Sequence, residues 1–303
     1  MRILITGGMG TLGRPLAKEL RSRGHEVWIC DLQHQQIDNY IRADVTQIRQ
    51  LERVMRKGFD YVYHLAAEFG RLNGEEYFEN LWMTNTIGTR NILELQVRYG
   101  FRLIFASSSE VYGDGFIVPL TEKLIDEFAV SLPNDYAISK YVNELQIKNF
   151  EARYGTDTVR CRFFNAYGPG EFYHHYRSVV CLFCYRALFN LPYQVYEGYH
   201  RVFMFIDDFI PTLANVCENF KPGEVYNIGG TEFRSVRELN DIIRSYIPES
   251  KSMVEYLQED KHNTVNKLPD ISKAVNDLGH NPRVLLEEGI PITINWLKQT
   301  YKK

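Results

Sequence analysis

The chain has 303 residues, more than an average domain, so one large domain or two closely joined ones are expected. Hydrophobic residues make up 45% and charged residues 24%, the composition of a globular chain able to bury a sizeable core. The formal net charge of -3 lacks the basic excess that nucleic acid or an anionic membrane calls for, and no stretch is apolar for long enough to span a bilayer.

Arg2–Thr6 reads as a strand. It follows the first residue directly, with no leader layout, and with the five scattered cysteines this points to a reducing cytoplasm. Thr11–Arg23 has a helical pattern that stops at Gly24, and Glu26–Cys30 is strand-like again. Asp60–Leu65, Arg102–Ala106 and Thr158–Phe163 are further short strand-like runs, with helical stretches between most of them. Glu75–Tyr99 is expected to be one helix. Phe78, Leu81, Trp82, Ile92, Leu95 and Tyr99 recur at helical spacing there, and Gly100 is a natural stop. Gly88 in its middle costs ~1 kcal/mol against Ala and is expected to permit close packing.

This alternation predicts an α/β fold, a doubly wound parallel sheet of the Rossmann-like kind. After about residue 165 the pattern loosens, with interruptions at Gly168-Pro169-Gly170 and Leu191-Pro192-Tyr193. The expected organisation is a dinucleotide-binding domain over residues 1–165, to which a strand–helix unit near 202–228 returns. Residues 166–303 mainly form a smaller, mixed α/β substrate-binding region.

The turn Thr6-Gly7-Gly8-Met9-Gly10-Thr11-Leu12-Gly13 follows a strand and opens a helix. Glycines at 7, 10 and 13 suit a tight turn, close approach of a pyrophosphate and close helix–strand packing. The phosphates then lie on free N–H groups at the helix N-terminus. The alternative is a glycine turn with no ligand. Asp31, at the end of the second strand, is placed to bind the adenosine ribose and repels a 2′-phosphate, which favours NAD over NADP. Asp44-Val45 can reach the adenine by the same geometry, and Leu65-Ala66-Ala67 has the small side chains that let a cofactor lie across a strand end.

Tyr136 and Lys140 stand four residues apart, one turn of a helix, on one face. A cation lowers the pKa of a nearby phenol and suits it to acid–base work. Such a pair on its own is as readily a surface helix face. Ser107-Ser108-Ser109 ends one strand, however, and Arg162-Phe163-Phe164-Asn165-Ala166-Tyr167-Gly168-Pro169 ends another at the same sheet edge, where such folds bind ligands.

With these residues in place the chain resembles an extended short-chain dehydrogenase/reductase of the NAD-dependent nucleotide-sugar epimerase/dehydratase family. The resemblance runs over nearly the whole length. It rests on Thr-Gly-x-x-Gly-x-x-Gly at 6–13, Ser-Ser-Ser-Glu-Val-Tyr-Gly at 107–113, Tyr-x-x-x-Lys at 136–140, Asn-x-Tyr-Gly-Pro at 165–169 and Val-Tyr-Asn-Ile-Gly-Gly at 225–230, in family order. It implies that Tyr136 takes a proton from a sugar hydroxyl whose carbon gives hydride to NAD. Lys140 depresses the Tyr136 pKa and holds the nicotinamide ribose, and Ser108 hydrogen-bonds the same sugar hydroxyl. It also implies that Ser109 and Asn165 contact substrate, that Arg201 grips a nucleotide diphosphate, and that Asp270 lies on the ribose or phosphate side. The chain departs from the family at Lys267, where the resemblance implies an Arg. A homodimer is implied as well, with the helices holding Glu75–Tyr99 and Tyr136 paired across a two-fold axis.

Glu110 bears on the reaction class. Ser-Ser-Glu at 108–110 resembles mannose dehydratases and glucuronate decarboxylases, whereas simple 4-epimerases usually carry a neutral residue at this place. Glu110 is then either an acid/base for the C5 proton or a hydrogen-bonding group behind the site. Epimerisation, 4,6-dehydration, decarboxylation of a nucleotide glucuronate and net dehydrogenation all share the first oxidation at C4. A redox-silent NAD-binding sensor is the competing class. Cys181 and Cys184 have redox spacing inside an apolar helical pattern and read as buried small hydrophobes. His174-His175 lies in a loop that faces substrate, and no metal site is expected.

Overall fold

The computed structural model describes residues 1–116, 119–258 and 263–302. Seven strands form its main sheet: β1 (Arg2–Thr6), β2 (Glu26–Asp31), β3 (Tyr40–Arg42), β4 (Tyr61–His64), β5 (Arg102–Ser108), β6 (Thr158–Phe163) and β7 (Val225–Ile228). Their order is β7-β6-β5-β4-β1-β2-β3, and every neighbouring pair is parallel. Helices cover both faces, so the central strands are buried throughout, as at Tyr61–His64. The chain winds outward from β1 to β3 and then returns to the other side of β1 as β4. This is the topological switch point, and a crevice opens there beyond the strands' carboxyl ends.

Each face of the sheet has its own core. Leu16, Ala17 and Leu20 of the helix Gly13–Ser22 pack with Phe209, Leu213 and Val216 of the helix Ile206–Glu218 on one face. Leu51 and Val54, Ile92 and Leu95, and Ile147 and Phe150 come from three helices on the other. The run Glu75–Tyr99 is not the single helix expected. It is broken into Arg71–Glu76, Phe78–Leu81, a π turn at Trp82–Ile87 and the helix Gly88–Tyr99. The π turn closes where the Gly88 N–H donates five residues back to the Met83 carbonyl. An apolar repeat cannot reveal this, because one extra residue in a turn leaves most of the hydrophobic stripe in register. Gly88 does permit close packing, since a Cβ there would stand 2.9 Å from Val45 Cγ2.

The helix Ile206–Glu218 leads to β7, which joins the sheet beside β6. Beyond the sheet a second core gathers Phe183, Cys184, Leu239, Ile243, Ile290 and Ile294. His200–Val202 lies between Phe233–Ser235 and Asn266–Lys267 in a small three-stranded sheet, with Lys267 in register with Arg201. This region is tied to the segment after β5 through Leu120, whose N–H donates to the Leu268 carbonyl at 2.7 Å and whose carbonyl accepts from the Asp270 N–H at 2.9 Å. No described helix is long and apolar enough to cross a membrane.

Candidate active site

The glycine turn is shaped by its own packing. A Cβ on Gly7 would stand 2.7 Å from the Ala66 nitrogen, and one on Gly13 would stand 2.5 Å from the Gly7 carbonyl oxygen. At Gly10 the nearest atom is at 3.2 Å, so that face of the loop is comparatively open. The N–H groups of Thr11, Leu12 and Gly13 donate to no protein group among the described residues. They are the unsatisfied donors at the start of the helix Gly13–Ser22, the arrangement a pyrophosphate takes. Asp31 closes the other side, with one carboxylate oxygen accepting from the Met9 N–H at 2.9 Å. Ala66 donates its N–H to Thr6 Oγ1 at 3.4 Å, which holds the half-buried stretch Leu65, Ala66 and Ala67 at the end of β4. Asp44 accepts from the Thr46 N–H at 2.8 Å, and Val45 is buried against Gly88. Exposed donors, small side chains and a carboxylate at the switch point together fit a dinucleotide.

The helix Asp135–Tyr154 starts on Asn134, whose side chain accepts from the Ala137 N–H at 2.9 Å. Tyr136 and Lys140 follow in its first turns and are both buried. β5 ends at Ser108, whose hydroxyl comes near enough to the Tyr136 hydroxyl to lower its pKa. Burial pushes the Tyr136 phenol well up, Ser108 pulls it back in part, and the Glu110 charge adds to the rise. Burial lowers the Lys140 ammonium to about 8, against an upward pull from Glu144. Lys140 Nζ donates to the Ala106 carbonyl at 2.8 Å and stands 6.0 Å from the Tyr136 ring centre. The three residues named from the sequence therefore meet at the carboxyl end of β5. Ser109, next along, is buried beside them.

Next to Ser108 the structure joins two residues that the sequence could not pair. Glu110 forms an ion pair with Lys267, which is 2% exposed. The Glu110 N–H also donates to Ser108 Oγ at 3.2 Å. Burial raises the Glu110 carboxyl, but Lys267, Arg201 and Arg71 outweigh it and hold the group below the usual carboxylate range. Burial likewise brings Lys267 down to about 8. Arg201 is buried, with its guanidinium donating to the carbonyls of His200, Thr264 and Val265. Asn165 has a positive φ of 39° and donates its side-chain amide to the Val202 carbonyl at 2.9 Å. Asp270 accepts from the Ser272 N–H at 2.9 Å, two residues on, just before the helix Ser272–Leu278.

Sequence reading also missed Glu144 and Arg162. The two make a buried two-armed ion pair, Nε to Oε1 at 3.0 Å and Nη2 to Oε2 at 2.8 Å, and Ser107 Oγ donates to the same carboxylate at 2.5 Å. The clue was available, since Glu144 follows Lys140 by one helical turn. A cavity of about 480 Å³ opens between Ala67–Tyr77 and the loop carrying His174, His175 and Tyr176. Cys181 and Cys184 are buried, as expected of small hydrophobes. Among the described residues no His, Cys, Asp or Glu cluster is placed to hold a metal ion.

Comparison with known proteins now decides the family. The pattern of the NAD-dependent epimerase/dehydratase family matches residues 3–229. The chain belongs to that family. It is 31% identical to zebrafish (Danio rerio) UDP-glucuronic acid decarboxylase 1 over 98% of this chain and 73% of that protein. It is 30% identical to the UDP-N-acetyl-alpha-D-glucosaminuronate decarboxylase of Bacillus cytotoxicus over 98% of both. The solved structure of epimerase Mth375 from Methanothermobacter thermautotrophicus superposes with a TM-score of 0.90 at 28% identity, covering 99% of this chain and 93% of that one. The Rossmann-like sheet and the reading of the chain as an enzyme agree with this membership.

Proposed function

We propose that this family member acts on a nucleotide-diphosphate sugar through a 4-keto intermediate, with Ser108, Tyr136 and Lys140 as the catalytic residues. The observation that carries this is the buried meeting of Ser108 with Tyr136 above Lys140, at the sheet edge where the glycine turn opens. Gly7, Met9, Gly10, Thr11, Leu12, Gly13 and Asp31 hold NAD in this reading, with Asp44, Val45 and Leu65 to Ala67 along its length. When bound, NAD supplies the hydride acceptor at C4 of the sugar. Tyr136 receives the proton of the C4 hydroxyl, Ser108 orients that hydroxyl and favours the phenolate, and Lys140 holds the nicotinamide ribose, since Lys140 is not among the groups that lower the Tyr136 pKa as the resemblance implied. Residues 1–165 with the returning β7 unit form the cofactor side, and residues 166–303 mainly form the substrate side. Asn165, Arg201 and Asp270 line the latter.

A second reading, decarboxylation of a nucleotide hexuronate, draws on the Glu110–Lys267 pair and on the two curated relatives. A 4-ketone makes a C6 carboxylate a β-keto acid, which loses CO2 without a strong base, and C5 then takes a proton. Lys267, Arg201 and Arg71 give that side of the site the cationic surroundings a carboxylate needs. The deciding experiment incubates the protein with a panel of nucleotide sugars and hexuronates in deuterated water and identifies products by NMR. Deuterium at C5 with loss of CO2 means decarboxylation, and C4 inversion with no C5 label means epimerisation. No conversion of any substrate refutes the whole reading.

A homodimer suits the exposed Phe78, Met83 and Ile87 on the run after β4 and Leu145 on the Tyr136 helix. Sedimentation at micromolar concentration tests it. Five buried free thiols suit a reducing cytoplasm.

A further inference from the structure

Residues 171–178 contain no helix or strand, yet residues 174–177 wall the cavity of about 480 Å³ opposite Glu68 and Phe69. The Phe69 ring in turn meets the Tyr136 ring edge-on, with centroids 6.2 Å apart. The cavity therefore borders the Tyr136 phenol, and its width depends on where the loop is held. Fixing each residue of a loop costs backbone entropy, so the loop keeps one position only where its contacts offset that cost.

Across the cavity the loop is held lightly. The Tyr176 hydroxyl donates to the Glu76 carboxylate, and the His175 ring stands 3.9 Å from the same group. His175 and Glu76 are both about half exposed, where such a pair contributes little. The root of the loop is different. Glu171 is buried and joins the two ends, with its carboxylate accepting from the Ser178 N–H at 2.9 Å and from the Ser178 hydroxyl at 2.6 Å. Phe172 lies edge-on to Trp296 at 5.3 Å, and Tyr173 stacks on Tyr185 at 3.7 Å with 10° between the ring planes. Tyr301 completes the root. Its hydroxyl accepts from the Tyr173 N–H at 2.8 Å, and its ring meets the Tyr185 ring edge-on at 5.0 Å. Among the described residues no other protein group accepts from the Tyr173 N–H. Trp296 and Tyr301 belong to the helix Leu286–Tyr301, which Ile290 and Ile294 fix in the second core.

We infer that Tyr301 is a positioning residue for the sugar end of the substrate. It ties the root of the loop to the helix Leu286–Tyr301, so that residues 174–177 stand at a set distance from Phe69 and Tyr136. Tyr301 touches neither substrate nor cofactor in this assignment and acts through Tyr173. The inference rests on the reading of Tyr136 as the acid–base group, which makes the cavity beside it the place of the sugar.

The test compares the NAD-loaded parent with Tyr301→Phe, Tyr301→Leu and Tyr246→Phe. Tyr246 is the control, because its hydroxyl donates to the Glu287 carbonyl at 2.8 Å, at the opposite end of the same helix. The probes are the nucleotide sugar converted in the panel above and its nucleoside diphosphate alone. Tyr301→Phe keeps the ring and loses one hydrogen bond, so KM for the nucleotide sugar should rise about fivefold with kcat within about twofold of the parent. Tyr301→Leu also loses the ring contact, and its KM should rise about tenfold or more. Calorimetry should find the nucleoside diphosphate bound equally by all four proteins, since it lacks the sugar. Tyr246→Phe should keep the parent's KM. Amide hydrogen exchange at Tyr173 reads the anchor without any turnover, and it should quicken in both Tyr301 variants and in neither of the other proteins. An unchanged KM in folded Tyr301→Leu overturns the inference, as does an equal rise in Tyr246→Phe or an equal loss of nucleoside diphosphate affinity. Protected Tyr173 exchange in Tyr301→Phe overturns the anchor itself. If no nucleotide sugar is converted, the reading of the reaction fails instead, and the exchange result still judges the anchor.

Discussion

Glu144→Gln removes a carboxylate that is 1% exposed and leaves Arg162, which is fully buried, facing a neutral amide. Arg162 loses the charge partner of both its arms, and its bonds to the Tyr112 hydroxyl and the Glu122 carbonyl do not neutralise it. Breaking a buried pair on one side costs about 3–5 kcal/mol. With about 2.1 cal/mol/K of unfolding entropy per residue, a chain of this length should melt about 5–8 °C lower. A second effect is chemical. Glu144 raises the pKa of Lys140, which burial has brought down to about 8, so the variant must lower it further. Lys140 carries its charge below that pKa and loses it above, so the alkaline limb of kcat should move to lower pH. Thermal denaturation followed by circular dichroism reads the first effect, and a pH–rate profile reads the second. Replacing both partners by apolar residues, Glu144→Leu with Arg162→Met, should cost less than Glu144→Gln alone, because no unpaired charge remains. A loss below about 1 kcal/mol, or an alkaline limb that stays in place, would falsify this account of the pair.

Tyr136→Phe keeps the ring packing and removes the proton acceptor, so activity should fall roughly 10²-fold while NAD stays bound; near-native turnover removes Tyr136 from the mechanism. Gly13→Ala places a Cβ 2.5 Å from the Gly7 carbonyl oxygen and 2.6 Å from Gly8 Cα, both backbone, so the turn must shift and NAD affinity measured by calorimetry should drop by at least roughly tenfold. Glu110→Gln cannot accept a proton and leaves Lys267 without its carboxylate. If the reaction eliminates water across C5 and C6, which needs a base for the C5 proton, stopped-flow absorbance should show reduced cofactor building up after substrate is added, and parent-like turnover would exclude that elimination with Glu110 as its base.

The first half of the site was legible because its parts are local. The glycine turn is eight consecutive residues, Tyr136 and Lys140 share one helical turn, and Ser108 ends a strand whose β-branched and aromatic run stands out. Parallel strands buried on both faces read as short apolar runs, so Arg2–Thr6 and Thr158–Phe163 could be bounded to the residue. The π turn was hidden because periodicity averages over several turns. Asn85 was read as part of a packing helix, and only the structure shows its amide reaching Glu68. Lys267 was noted for not being Arg, yet 157 residues separate it from Glu110 in the chain. No pattern along the sequence pairs two charges at that range. The short strand Asn266–Lys267 reaches the site only because Leu120 pulls its neighbours Leu268 and Asp270 onto the segment after β5.

That separation has a chemical meaning. Oxidation at C4 needs an acid–base group, a hydroxyl to orient the sugar and a cation, all of which the sheet edge supplies from β5 and the helix that follows. The later fate of the ketone, in the same proposal, draws on residues that the C-terminal region brings up, Lys267 and Arg201 among them. Glu110 stands where these two supplies meet, because its N–H bonds Ser108 while its carboxylate bonds Lys267. Arginine at 267 would present a fixed charge in a planar fork, whereas lysine offers a point charge whose pKa burial lowers. Lys267 is the strongest of the three cations, with Arg201 and Arg71, that hold Glu110 ionised in a buried place. Lys140, given the cation's part in the proposed first step, is lowered to the same range by the same cause. Each half of the candidate site thus holds a buried lysine with an acidic neighbour, Glu144 for Lys140 and Glu110, with Asp114 farther off, for Lys267.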